Sequence, residues 1–218
     1  MARASGRWAT GTGGFPPELA VASRNPGKIR EIREICADWP VRWITAEDGD
    51  TREWPVVEET GRSYLENAAL KARAVAAAAG VPAVADDSGI EVDALDGQPG
   101  IQSARFAGDR ATDEDNLRTL VAAVSAIPAT LRTARYRCVA LVAWPGEWFA
   151  YAEATCEGSL VLEPRGEGGF GYDPIFVPRG EFRTMAQLSP EEKDAISHRG
   201  KAFRELGRLL REGRRARR

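Results

Sequence analysis

The feature that most constrains this chain is a change of hydrophobic period near its start. Residues 19–23 (LAVAS) form a short apolar run closed by the turn signal Arg24-Asn25-Pro26-Gly27, the pattern of a buried strand. Lys28 then opens a segment in which Ile29, Ile32 and Ile35 recur along one side of a helix. Residues 41–44 return to a strand-like run. Strand, turn, helix and strand in such quick succession predict an α/β sheet.

The later pattern departs from a simple repeat of that unit. Residues 47–60 are acidic and predict a loop. Ser63 caps the next helix, with Glu66 three residues on to complete a capping box. That helix is alanine-rich and stops at Gly80, before Pro82, as left-handed glycine caps do. Residues 83–85 predict a short strand broken by Asp86-Asp87-Ser88-Gly89, and residues 90–95 a second one. Thr112 opens a helix to about 127. Residues 133–143 and 148–156 alternate in polarity around Pro145-Gly146 and predict an antiparallel hairpin. A glycine-rich loop fills residues 163–174 and a short strand 175–177. A helix start follows at Ser189-Pro190-Glu191-Glu192, with cap, proline and acidic first turn in order. Its helical pattern runs toward 210 with a break near 197–200. The expected fold is mixed α/β with a long, partly antiparallel sheet, not an all-parallel doubly wound one. Residues 1–17 lack periodicity and predict a flexible N-terminal extension, residues 18–210 a single domain, and residues 211–218 a frayed basic tail.

Composition narrows the function classes. A formal net charge of −2 argues against a general nucleic-acid binder, which carries a positive excess. The three cysteines, at 36, 138 and 156, match neither a zinc pattern nor a disulfide framework, so a reducing cytoplasm is expected. The start of the chain lacks the apolar core of a signal peptide, and no apolar run reaches membrane-span length. Of 30 basic residues only Lys28, Lys71, Lys193 and Lys201 are lysine. Lysines kept against such a bias suit places that need a compact ammonium instead of a planar guanidinium, although chance would also scatter them.

Five constellations could carry chemistry, and each has a plainer reading. Ser23, Arg24, Asn25, Pro26, Gly27 and Lys28 lie where a strand gives way to a helix, a place suited to anions. They lack Walker A spacing and could equally be an ordinary turn. Glu58-Glu59 and Asp86-Asp87 could supply oxygen ligands to Mg²⁺ from two segments and position an attacking water. They could also be a solvated loop and a turn cap. Asn67 and Lys71 share a helix face, polar on an alanine background, which a solvated face would also explain. In Gly168-Gly169-Phe170-Gly171-Tyr172-Asp173-Pro174, glycines around aromatics could admit a flat ligand to a ring, or simply close a hairpin. Lys193 with Ser197, His198, Arg199 and Gly200 gathers the single histidine and two cations near a helix break, or caps that helix.

Taken together, these segments resemble the inosine triphosphate pyrophosphatase family. The stretches that carry the resemblance are LAVASRNPGKIREI, VVEETGRSYLENAALKARAVA, VPAVADDSGIEVDALDGQPGIQSARFAG, GEGGFGYDPIF and LSPEEKDAISHRGKA, in order from about 19 to 210. The resemblance implies a two-lobed α/β fold with an elongated mixed central sheet flanked by helices, a cleft between the lobes, and a homodimer. It implies Mg²⁺-dependent hydrolysis of non-standard purine triphosphates (ITP, dITP, XTP) to monophosphate and pyrophosphate. By motif position Ser23, Arg24, Asn25, Pro26, Gly27, Lys28 and Lys71 would hold phosphate. Asp87 would be the catalytic carboxylate and a metal ligand, Glu59 a second ligand, and Ser88 a substrate contact. Phe170, Gly171, Tyr172 and Asp173 would border the base, Lys193 would meet the nucleotide, and His198 and Arg199 would read the oxo edge. The segment 156–165 matches only loosely, and both ends lie outside the resemblance. A pyrophosphatase for another nucleotide, or a sensor that binds without turnover, are the competing readings.

Overall fold

The computed structural model describes residues 8–10, 14–46, 54–146 and 148–217. The expected acidic loop and N-terminal extension fall partly outside them. Eight strands and five α-helices are formed among the described residues: β1 (Trp8–Thr10), β2 (Glu18–Val21), α1 (Pro26–Ile35), β3 (Arg42–Ile44), α2 (Tyr64–Ala79), β4 (Ala83–Val92), α3 (Asp113–Val124), β5 (Thr133–Ala143), β6 (Trp148–Leu160), β7 (Phe176–Pro178), α4 (Pro190–Ile196), α5 (His198–Arg211) and β8 (Arg214–Arg217). The strands follow the order β1-β8-β6-β5-β4-β2-β3, with β7 paired to β6. β2 pairs in parallel with β3 and β4, whereas β8 pairs antiparallel with β1 and β6. The sheet is therefore mixed, as expected.

The chain divides into two compact units, Met1–Asp87 with Val139–Glu153 and Ala202–Arg218, and Ser88–Cys138 with Ala154–Lys201. In the first, α2 packs on β2, and Leu19, Ala68, Ala72 and Val84 are fully buried. Alanine on α2 permits that close packing. Ser63 Oγ accepts from the Glu66 amide at 3.2 Å, and losing such a cap costs about 1 kcal/mol. Only half of the expected capping box forms, because the Glu66 carboxylate turns back to the Arg62 amide at 2.6 Å. Gly80, at φ 71°, ends the helix in the left-handed region. The second unit centres on Ile90, Leu120, Tyr136, Tyr172 and Phe176, all buried in one cluster.

Two local expectations are corrected. The sequence Asp86-Asp87-Ser88-Gly89 does not break the chain into two strands; β4 runs straight through it from Ala83 to Val92. Its aspartates are partnered by lysines from other segments, which offsets part of the cost of burying them in a strand. The arginine-rich end is not wholly frayed either, since Arg214–Arg217 pair with β1 and β6. A ladder of backbone hydrogen bonds needs no apolar periodicity.

Candidate functional site

Chemistry-bearing side chains gather in one cluster in each unit. In the first unit, β2 ends and α1 begins through a tight turn. Asn25 Oδ1 accepts from the Lys28 amide at 3.1 Å, and Ser23 Oγ accepts from the Asn25 amide at 3.2 Å. Pro26 takes the first helical position, where its missing N–H is harmless, and Gly27 follows. Arg24 is turned to the Trp54 carbonyl at 2.7 Å, and the Trp54 indole donates to the Val21 carbonyl at 2.7 Å. This leaves Lys28 as the cation that the turn sends toward β4, where its Nζ lies 3.3 Å from Asp86 Oδ2.

Successive side chains of a strand face opposite ways, and the two aspartates of β4 take different lysines. Asp87 Oδ1 lies 3.3 Å from Lys71 Nζ, which also reaches Glu59 Oε1 at 3.0 Å. Asp87 Oδ2 accepts from Asn67 Nδ2 at 3.2 Å. Asn67 in turn accepts from the Gly61 amide at 2.8 Å, and a Cβ at Gly61 would sit 2.5 Å from that oxygen. The backbone beside Glu59 is thus seated on the helix that carries Lys71. Burial pushes the Asp87 carboxyl above the ordinary carboxylate range despite Lys71 and Lys28 beside it. Burial alone would lower Lys71, but Asp87, Glu59 and Asp86 outweigh it and hold the ammonium up.

In the second unit the glycine-rich loop and the α4–α5 break come together. Asp173 Oδ2 accepts from Lys193 Nζ at 2.6 Å and from the Phe170 amide at 2.9 Å. Gly169 and Gly171 have φ of 71° and 61°, a conformation that favours glycine. A Cβ on Gly169 would also fall 2.1 Å from Asp173 Oδ2. Phe170 is half-buried, with Lys193 Nζ 5.2 Å and Arg199 Cζ 5.5 Å from its ring centre, within cation–π range. Ser197 ends α4 and its Oγ accepts from the Gly200 amide at 2.9 Å, so His198 and Arg199 start α5 from a fixed corner. Both are buried, and Arg199 donates to Ser88 Oγ at 3.0 Å. The two aromatics expected to border a base, Phe170 and Tyr172, sit differently. Tyr172 lies in the apolar core with its hydroxyl donating to the Ser103 carbonyl at 2.7 Å, whereas Phe170 carries the cations.

The sequence assigns no role to Asn67 and does not point to Tyr136. Asn67 was visible only as a neighbour of Lys71 on the helix. Tyr136 of β5 was not singled out, yet its ring stacks on His198 with centroids 4.5 Å apart and planes 7° apart. The only signal it gave was its place in the alternation of residues 133–143.

The oxygen donors suit a hard divalent cation. Asp87 and Glu59 already converge on one positive charge, and Mg²⁺ is commonly held by one or two carboxylates with water and phosphate completing its shell. Among the described residues no group of three or more His, Cys, Asp or Glu side chains is placed to hold a metal by itself. No helix among them is long and apolar enough to cross a membrane.

One unit thus carries lysine-paired carboxylates, and the other an aromatic ring beside two cations. The chain belongs to the Ham1 family, whose model matches residues 19–209. It is 49% identical to a dITP/XTP pyrophosphatase of Streptomyces avermitilis, over 89% of this chain and 97% of that one. With the dITP/XTP pyrophosphatase of Bacillus subtilis it shares 44%, over 88% and 96%. A HAM1 protein structure from Coxiella burnetii superimposes with a TM-score of 0.79 at 39% identity, covering 89% of this chain and 98% of that one.

Proposed function

We propose that this protein hydrolyses non-standard purine nucleoside triphosphates, ITP, dITP and XTP, to the monophosphate and pyrophosphate. The observation that carries the reading is Lys71, whose single ammonium holds Asp87 at 3.3 Å and Glu59 at 3.0 Å. Membership of a family with dITP/XTP pyrophosphatases supports it. In this reading the turn from Ser23 to Lys28, together with Lys71, binds the triphosphate. Mg²⁺, held by Asp87 and Glu59 when bound, would neutralise phosphate charge. Asp87, oriented by Asn67, would accept the proton of a water whose oxygen bonds to the α-phosphorus. The bridging α–β P–O bond then breaks and pyrophosphate leaves.

Phe170 would offer its face to the base, with Gly171 allowing close approach and Asp173 holding Lys193 against the nucleotide. His198 and Arg199 would donate to the 6-oxo group. Adenine presents an amino donor there, and donors facing donors in a buried site are left unpaired at a cost. The same reading assigns the protein to the cytoplasm and to a homodimer, which light scattering on the 23.7 kDa chain would test. The activity itself is tested by following pyrophosphate release with ITP, dITP, XTP, ATP and GTP, with and without Mg²⁺.

A further inference from the structure

We propose that Tyr136 is a positioning residue for base selection: it sets the plane of the His198 imidazole and the orientation of the Asp173 carboxylate. The proposal rests on the reading of that cluster as the base site. Tyr136 lies on β5, buried between two rings, with Phe176 at 4.7 Å and 58° and His198 at 4.5 Å and 7°. Its hydroxyl donates to Asp173 Oδ1 at 3.2 Å. The other oxygen, Oδ2, already takes Lys193 and the Phe170 amide. One side chain therefore touches both halves of the cluster.

The need for such a residue follows from side-chain mechanics. The corner at Ser197 fixes where His198 leaves the backbone, but the terminal torsions of His and Asp are broad and roughly two-fold. A hydrogen bond to a purine edge weakens steeply once its angle is poor. A parallel ring against the imidazole confines that torsion, and a phenol on Oδ1 confines that of Asp173. Burial and the nearby Asp173 charge hold the Tyr136 phenol well above its ordinary range, so it remains a donor.

Because His198 is the single histidine of the chain, its imidazole resonances stand alone in histidine-labelled protein. In the parent protein the Tyr136 ring current should displace them upfield. Tyr136→Leu and Tyr136→Met remove the ring while filling the space; Tyr136→Phe keeps it. With folding checked by thermal melts, either ring-less variant should lose the displacement. Each should lower the ratio of kcat/KM for ITP over ATP roughly tenfold, the size expected for an aromatic contact that orients a buried polar group. The loss should fall mainly on KM for ITP, with kcat retained; Tyr136→Phe should keep the displaced signal but, lacking the donor to Asp173 Oδ1, should lose part of the ratio. An unchanged ratio in a folded ring-less variant overturns the proposal, as does an equal loss of kcat on every substrate. If the parent protein fails to prefer ITP over ATP, the functional reading fails instead, and the resonance still reports whether Tyr136 orients the ring.

Discussion

In the first unit, Lys71 and Asp87 are 14% and 7% exposed, but the second carboxylate on that ammonium, Glu59, meets solvent at 30%. In the second, Lys193 and Asp173 are only 8% and 5% exposed and sit in a frame of rings, left-handed glycines and a helix corner. The contrast separates two ways of using a lysine. An ammonium shared between a buried carboxylate and a solvent-reached one, Glu59, can exchange partners when phosphate and a divalent ion bring their own charges. A caged one holds a shape, since its carboxylate is fixed by three donors at once: Lys193, the Phe170 amide and Tyr136. Changes in the first cluster should therefore act on turnover, and changes in the second on affinity and selectivity.

The sharpest way to break that division is Asp87→Asn, which keeps the shape but not the charge. It should fold normally and lose roughly 10²–10⁴-fold in pyrophosphate release from ITP, the usual cost of removing a general base. If Asp86→Asn were the dead variant and Asp87→Asn the active one, the roles of the two aspartates would be reversed.

Lys71→Arg comes next. Its planar fork cannot place one compact charge on both carboxylates, and misplacement of that order costs about 10²-fold in rate. The melting temperature should barely move, and kcat/KM on ITP should carry the loss.

In the second cluster, Gly169→Ala puts a methyl group against Asp173 and forces a non-glycine residue into the left-handed region. That strain costs about 1–3 kcal/mol, seen as a lower melting temperature. KM for ITP should rise more than kcat falls; the opposite split would show that the cluster acts on the chemical step.

Smallest of all should be Lys201→Arg. Lys201 is exposed and its ammonium donates to the Thr155 carbonyl, at 3.3 Å, so turnover and stability should stay near those of the parent. A large loss would place a further cation in the site.

The elements were legible where local chemistry decides them. Ser63, Thr112 and Ser189 announced helix starts, Gly80 a stop, and the break in the last helix fell at Ser197. The cluster residues were legible mainly through the family resemblance of their motifs, with the scarcity of lysine and the glycines around Phe170 pointing the same way. What was not legible depended on distant partners. Asp86-Asp87-Ser88-Gly89 has the composition of a turn, and only Lys28 and Lys71, from other segments, make it a tolerable strand interior. Tyr136 looks like any inward aromatic until His198, 62 positions later, is laid on its ring. Arg214–Arg217 join a sheet through backbone hydrogen bonds that their side chains do not advertise.

The central claim is that one cluster serves a triphosphate and the other a 6-oxo purine. Its most direct test is product analysis of purified protein with Mg²⁺ on ITP, dITP, XTP, ATP and GTP. The account predicts monophosphate and pyrophosphate in equal amounts from the first three, with ATP and GTP much slower. Stepwise release of orthophosphate, or equal rates on ITP and ATP, would contradict it.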